Sequence, residues 1–184
     1  MRFISKIKKI DIMKYIFLLL FSIKIWSCTA QQPADRAHTL NPKFDEKIAS
    51  WINFTVPTVS PETVKKMPDA VLLDARERAE YDVSHLPKAI FIGYNKFEKD
   101  VLKDVPKDKP IVVYCSIGYR SEKIGEKLQK MGFTKVYNLY GSIFEWVNQG
   151  NLVVDNQGVA TKKVHTFNRS WSKWVDKNMA EKIY

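Results

Sequence analysis

Apolar residues in this chain come in short β-branched runs separated by stretches with helical spacing, and that alternation predicts most of its elements. Ala70 to Asp74, Ala89 to Ile92, Ile111 to Tyr114 and Lys135 to Leu139 have strand length and are bounded by turn residues. Between them fall a helical turn from Glu77 to Asp82 and a helix capped by Asn95 that runs towards Leu102. A helix from Ser121 to Met131 is stopped by Gly132, and another spans Gly141 to Asn148. Thr55 to Val59 reads as a short edge strand, because Pro57 has no N–H to give a ladder. Leu152-Val153-Val154 reads as a terminal strand. Strands that alternate with helices predict an α/β fold whose mainly parallel sheet is covered by helices on both faces.

The pattern continues on either side of this unit. Asn41-Pro42 and Ser60-Pro61 each join a capping side chain to a proline at the first helical position. Phe44, Ile48 and Trp51 or Ile52 then recur at helical spacing, which predicts a short amphipathic helix packed on the body. Trp171 and Trp174 share one face of a helix predicted from Arg169 to Glu181, expected to pack onto the Phe44–Trp51 helix. The expected organisation is a leader over 1–27, a tether and helix over 28–54, a domain over 55–155 and a C-terminal extension over 156–184.

Charge sharpens this division. The formal charge of +10 suggests a nucleic-acid footprint until it is divided along the chain. Residues 1–27 hold six basic and one acidic side chain, residues 162–184 six and two, and the stretch between them eighteen and seventeen. The basicity belongs to the ends, and a nucleic-acid role is not expected. In the leader, Arg2, Lys6, Lys8, Lys9 and Lys14 precede an apolar run from Tyr15 to Ile23 that is too short to span a bilayer as a helix. Met13-Lys14 opens a tidier signal peptide than Met1 does. Ile25-Trp26-Ser27-Cys28 resembles the lipobox of bacterial lipoproteins, with Trp26 and Lys24 as departures. That resemblance implies export, lipidation at Cys28 and anchoring to a bacterial membrane facing the periplasm or exterior. Cleavage after Ala30 is the competing reading.

Cys28 and Cys115 are the two cysteines, so no disulfide framework and no zinc or iron–sulfur spacing exists in the sequence, and no metal or cofactor is expected. The candidate chemistry lies at Tyr114-Cys115-Ser116-Ile117-Gly118-Tyr119-Arg120-Ser121. A cysteine leaving the C-terminal end of a buried strand sits where open α/β sheets place their ligands. The following helix aims unpaired N–H groups and a positive dipole end back at the loop, which favours anions and thiolate over thiol. Gly118 permits a tight turn, and Arg120 offers a planar fork of donors for an oxyanion. A cysteine ending a core strand is more often inert packing; the succession strand, Cys-x-x-Gly-x-Arg, helix is what favours chemistry here.

With these residues in view, residues 55–155 resemble the rhodanese-like single-domain sulfurtransferases. Leu72-Leu73-Asp74-Ala75-Arg76, Glu80-Tyr81 with His85-Leu86-Pro87-Lys88-Ala89-Ile90, the Cys115 loop, and Leu139-Tyr140-Gly141-Ser142-Ile143-Phe144-Glu145-Trp146 carry the likeness. Ser84, Lys88 and Ser142 stand where the family has glycines. The resemblance implies a mainly parallel five-stranded sheet and two-step transfer of sulfane sulfur. Cys115 would take sulfur from a small anionic donor such as thiosulfate, and Ser116, Ile117, Gly118, Tyr119 and Arg120 would hold the persulfide. A thiol, cyanide or a protein acceptor would then remove it. Arg120 would bind the anionic donor or fold back to hold the loop. Asp74 and Arg76 would support the loop from the neighbouring strand end, with a structural ion pair the competing reading. A non-turnover persulfide carrier or interaction module is the alternative function. A cysteine phosphatase is disfavoured because Arg120 falls one residue short of a Cys-x5-Arg loop.

Overall fold

The computed structural model describes residues 36–184; the leader, Cys28 and residues 29–35 of the tether lie outside the described residues. The apolar runs form β1 (Thr58–Val59), β2 (Val71–Asp74), β3 (Ile90–Phe91), β4 (Ile111–Tyr114) and β5 (Val136–Leu139). These make one parallel sheet in the order β1-β5-β4-β2-β3, the fold class the alternation predicts. The strand β4 lies at its centre, and all four of its residues are fully buried. Val112 and Tyr114 join one apolar cluster, while Ile111 and Val113 join the other, as the two-residue period of a strand requires.

Helices α1 (Pro42–Ala49), α2 (Pro61–Lys65), α3 (Arg78–Val83), α4 (Tyr119–Lys130) and α5 (Ser142–Asn148) cover and flank this sheet. Asn41 and Ser60 cap α1 and α2, each followed by the proline that cannot donate a hydrogen bond. On one face Phe44 and Ile48 of α1 pack with Ile143 and Phe144 of α5. On the other, Ile124 and Leu128 of α4 pack on Ile111 and Val113. Gly125 lets α4 approach closely, since a Cβ there would meet Val56 Cγ2 at 2.9 Å.

Four expectations are corrected. Residues 55–57 do not extend β1, because Glu122 accepts the Thr55 N–H, as it does that of Asn53, and draws the chain onto α4. Asn95 starts no helix: its Nδ2 donates to Glu77 Oε1 at 2.9 Å, and only a single 3-10 turn forms over Lys99–Leu102. Leu152 to Val154 gives β6 (Val153–Val154), which pairs antiparallel with β7 (Ala160–Thr161) outside the main sheet. The C-terminal helix shrinks to α6 (Arg169–Ser172). Asn148 takes the Trp174 carbonyl and the Asp176 N–H, and Asp176 Oδ1 accepts from Asn178 N, which ends helical pairing. The chain then runs into β9 (Glu181–Ile183), parallel to β8 (Lys163–His165). The tryptophans still dock on the first helix: Trp174 stacks on Phe44 at 5.3 Å and Trp171 meets Trp51 edge-on at 5.2 Å.

Candidate active site

Beyond Tyr114 the chain leaves β4 and turns through Cys115, Ser116 and Ile117 into Gly118, whose φ of +125° suits a residue without Cβ. The start of α5 clamps this turn. Ser142 Oγ accepts the Cys115 N–H at 3.0 Å and donates to the Leu139 carbonyl, while Ile143 N and Phe144 N donate to the Cys115 and Ser116 carbonyls. Asn138 on β5 completes the frame by donating from Nδ2 to the Gly118 carbonyl at 2.9 Å. The Cys115 sulfur thus sits at the C-terminal edge of the sheet, before the first turn of α4.

The sulfur accepts from Gly118 N at 3.2 Å and lies 3.6 Å from Ser121 Oγ. The single Ser121 proton is also within reach of Asn138 Oδ1 at 2.7 Å, so that hydroxyl serves the sulfur only by turning from the amide. Burial pushes the thiol pKa up, but Arg120 and the donors at Ser121 and Gly118 outweigh it, and the thiol titrates below its ordinary value. Of the loop amides expected around the sulfur, that of Gly118 is the one bonded to it. Gly118 brings no side chain to cap α4, a twelve-residue helix whose first turn starts beside the sulfur.

Arg120 folds back. Its Nη1 donates to Glu80 Oε2 at 2.6 Å, and its Nη2 to Glu80 Oε1 at 2.8 Å and to Ser116 Oγ at 2.9 Å. Ser116 Oγ in turn donates to Glu80 Oε1. Burial acts to raise the Glu80 pKa, but Arg120, Arg76 and the Glu77 N–H bring it down to about 2. Of the two roles expected of Arg120, this geometry displays the second, loop support.

Asp74 and Arg76 form a wholly buried ion pair, with Nε and Nη2 on the carboxylate and Nη2 also on the Ser84 carbonyl at 2.6 Å. Tyr114 Oη accepts the neighbouring Leu86 N–H at 3.1 Å. The pair ties the end of β2 to the turn at Ser84–Leu86, and neither side chain lines the cavity over Cys115. His85 orders that same turn, stacking on Tyr81 at 3.9 Å and exchanging backbone bonds with Val154.

A cavity of about 260 Å³ opens over the sulfur. Cys115 is only 1% exposed, yet it lines this cavity together with Ser116 and Arg120. Ile117, Tyr119 and Tyr94 line it from the domain, and Trp51, Phe167 and Trp171 from the flanking segments. The thiol is recessed, with a route to solvent.

The Rhodanese-like domain family model matches residues 60–149, a span that holds β2 to β5 and the whole Cys115 turn. Residues 60–149 are a rhodanese-like domain. A tRNA uridine(34) hydroxylase of Enterobacter sp. (strain 638) is 37% identical over 87 residues, which are 45% of this chain and 25% of that protein. The chain therefore spans about a quarter of the curated relatives it matches. In structure it resembles the BH2092 protein of Bacillus halodurans, with 25% identity, a TM-score of 0.50, and coverage of 62% of this chain and 87% of that one. It also shares its fold with a thiosulfate sulfurtransferase of Pseudomonas aeruginosa, at 23% identity and a TM-score of 0.51, covering 55% and 21% of the two chains.

Several residues of the site escape a linear reading. In the rhodanese-like domain Glu80, Asn138 and Ser142 anchor the turn from 23 to 36 positions away from Cys115 or Ser116. Ser142 is informative, because it departs from the family's glycine yet keeps a left-handed backbone at φ +52°. Trp51, Phe167 and Trp171 come from outside the matched span and still line the cavity. Trp51 and Trp171 were legible only as packing residues at helical spacing, and nothing in the linear sequence marks Phe167.

Proposed function

We propose that this protein moves sulfane sulfur from a donor such as thiosulfate, through a persulfide on Cys115, to a thiophilic acceptor. The domain type supports sulfur transfer in general. What carries the finer reading is a recessed thiol, held below its ordinary pKa, that lines a cavity at the start of a helix with no side-chain cap from Gly118. The thiolate attacks the outer sulfur of thiosulfate, a Cys115 S–S bond forms, and the old S–S bond breaks with its electron pair leaving on sulfite. The anionic persulfide then faces the Gly118 N–H and the first turn of α4, donors that need no rearrangement to receive it. Attack by cyanide or a thiolate on the outer sulfur returns Cys115 to the thiolate.

Phosphate-ester hydrolysis fits less well. It would call for an acid to protonate the leaving group, and the carboxylate bonded to the loop, Glu80, has its pKa brought down to about 2 and is ionised near neutral pH. The recessed sulfur also suits a small acceptor better than a folded protein. Export with lipidation at Cys28 belongs to this proposal, and the mass of the mature N-terminus tests it.

The main test is thiosulfate:cyanide turnover by the wild type and Cys115→Ala, with intact mass after thiosulfate alone. The expected result is a gain of one sulfur and turnover, both lost in the variant. A sulfur gained but never released to small thiols would replace catalysis by a carrier role. Phosphate release abolished by Cys115→Ser, without sulfur gain, would overturn sulfur transfer altogether.

A further inference from the structure

Three aromatic residues that line the Cys115 cavity, Trp51, Phe167 and Trp171, come from the two extensions. The Trp51 ring meets Trp171 edge-on at 5.2 Å and Tyr119 edge-on at 6.0 Å, so the rings brace one another. Phe167 is the least explained by folding. It holds a left-handed backbone at φ +64°, costly for a residue with a Cβ, yet its ring is 51% exposed. That ring lies 5.3 Å from the Arg120 guanidinium, and both residues line the cavity. The Asn168 N–H donates to the Thr166 carbonyl at 2.7 Å and the Phe167 N–H to His165 Nδ1 at 3.1 Å, so local bonds hold this tight turn while the ring it carries lines the cavity.

Charge argues in the same direction. Arg120 is the charged side chain among the cavity-lining residues described, and Glu80 engages both of its Nη groups. A small inorganic dianion gains little from a guanidinium already paired, whereas a flat apolar body meets rings on several sides. Lys47 lies 5.3 Å from the Trp51 ring and 5.9 Å from the Trp171 ring, which disfavours a cationic guest and tolerates an anionic one. The cavity volume exceeds the ~150 Å³ known to admit benzene.

We infer that Trp51, Phe167 and Trp171 are specificity-determining residues that select an organic sulfane-sulfur donor with an aromatic body over inorganic thiosulfate. The inference rests on the persulfide reading of Cys115. With an aryl thiosulfonate, the Cys115 thiolate attacks the terminal sulfur, a Cys115 S–S bond forms, and the bond from that sulfur to the sulfonyl group breaks. The electron pair leaves on the aryl sulfinate and the persulfide anion stays on Cys115. Two anions enter, two leave, and no oxidant is required.

The test measures kcat/KM with cyanide as acceptor, using benzenethiosulfonate and methanethiosulfonate, in the full chain and in Trp51→Ala and Phe167→Ala. Dividing each variant's aryl-to-methyl ratio by that of the wild type cancels the intrinsic reactivity of the donors. The ratio is expected to fall about tenfold or more in either variant, mainly through a higher KM for the aryl donor. Phe167→Leu, which keeps apolar bulk without a flat ring, is expected to lose part of the preference. Val159→Ala removes an exposed apolar side chain outside the cavity and is expected to leave the ratio within about twofold. Ratios unchanged in both aromatic variants, or an equal fall in Val159→Ala, would sink the inference while a persulfide formed from both donors left the sulfurtransferase reading standing. A folded protein that gains sulfur from no donor would remove both.

Discussion

Arg76 and Arg120 each face a carboxylate, and the two pairs serve different ends. Arg76 and Asp74 lie two residues apart and have no exposed side-chain surface, while Arg120 and Glu80 join segments forty residues apart and Arg120 lines a cavity. The first pair knots the end of β2 to the Ser84 carbonyl. The second draws the start of α4 towards α3 and occupies both Nη groups of the loop arginine, whose charge still acts on the thiol. An arginine in an anion-shaped loop is therefore not yet an anion receptor; the position of its carboxylate partner decides.

Breaking the buried pair should have the largest effect. Arg76→Met leaves the Asp74 carboxylate buried without its counter-ion and is expected to cost about 3–5 kcal/mol. Urea unfolding followed by fluorescence checks this, through a lower midpoint at unchanged slope. A midpoint equal to that of the wild type would mean that water or rearrangement replaces Arg76 readily, and the contrast between the pairs would lose its basis.

The second pair is sharpened by pH. Glu80 has its pKa lowered from 4.5 to about 2 in the folded chain, so its contribution is present above about 4.5 and fades as pH falls towards about 2. The full loss is on the order of 3 kcal/mol as an upper bound. Acid titration of stability should show this component in the wild type and lack it in Glu80→Gln. The same variant frees the Arg120 charge beside the sulfur. The midpoint of Cys115 alkylation against pH, already below the ordinary thiol value, should therefore move lower still. Movement upward would show that Arg120 needs Glu80 to hold it near the thiol.

How much of this could be read along the chain depends on the distance over which each feature is encoded. Strands β2, β4 and β5 were legible because each is a contiguous apolar run, and the Cys115 turn because strand, nucleophile, glycine and helix follow one another. The failures share one cause. Asn95 has the right chemistry for a cap, but Glu77 takes its side chain; the C-terminal helix has the right period, but Asn148 takes the backbone groups that would continue it. Both competitors lie on other elements. Glu80 and Ser142 were visible as motif residues, yet their partners at Arg120 and Cys115 exist only after folding.

Ser142 offers the smallest and cleanest comparison, a turn anchor with no charge. Its hydroxyl is the acceptor for the Cys115 N–H, and its backbone sits in the left-handed region. Ser142→Ala removes the acceptor and keeps the strain, which should cost about 1–2 kcal/mol through an unpaired buried donor. Ser142→Gly also removes the acceptor but relieves a strain of about 1 kcal/mol, partly offset by the greater freedom of glycine in the unfolded chain. The glycine variant should therefore unfold at a denaturant concentration no lower than the alanine variant, with both below the wild type. If alanine matched serine, the Cys115 amide would have another partner, and the turn would be held by the Ile143 and Phe144 amides alone.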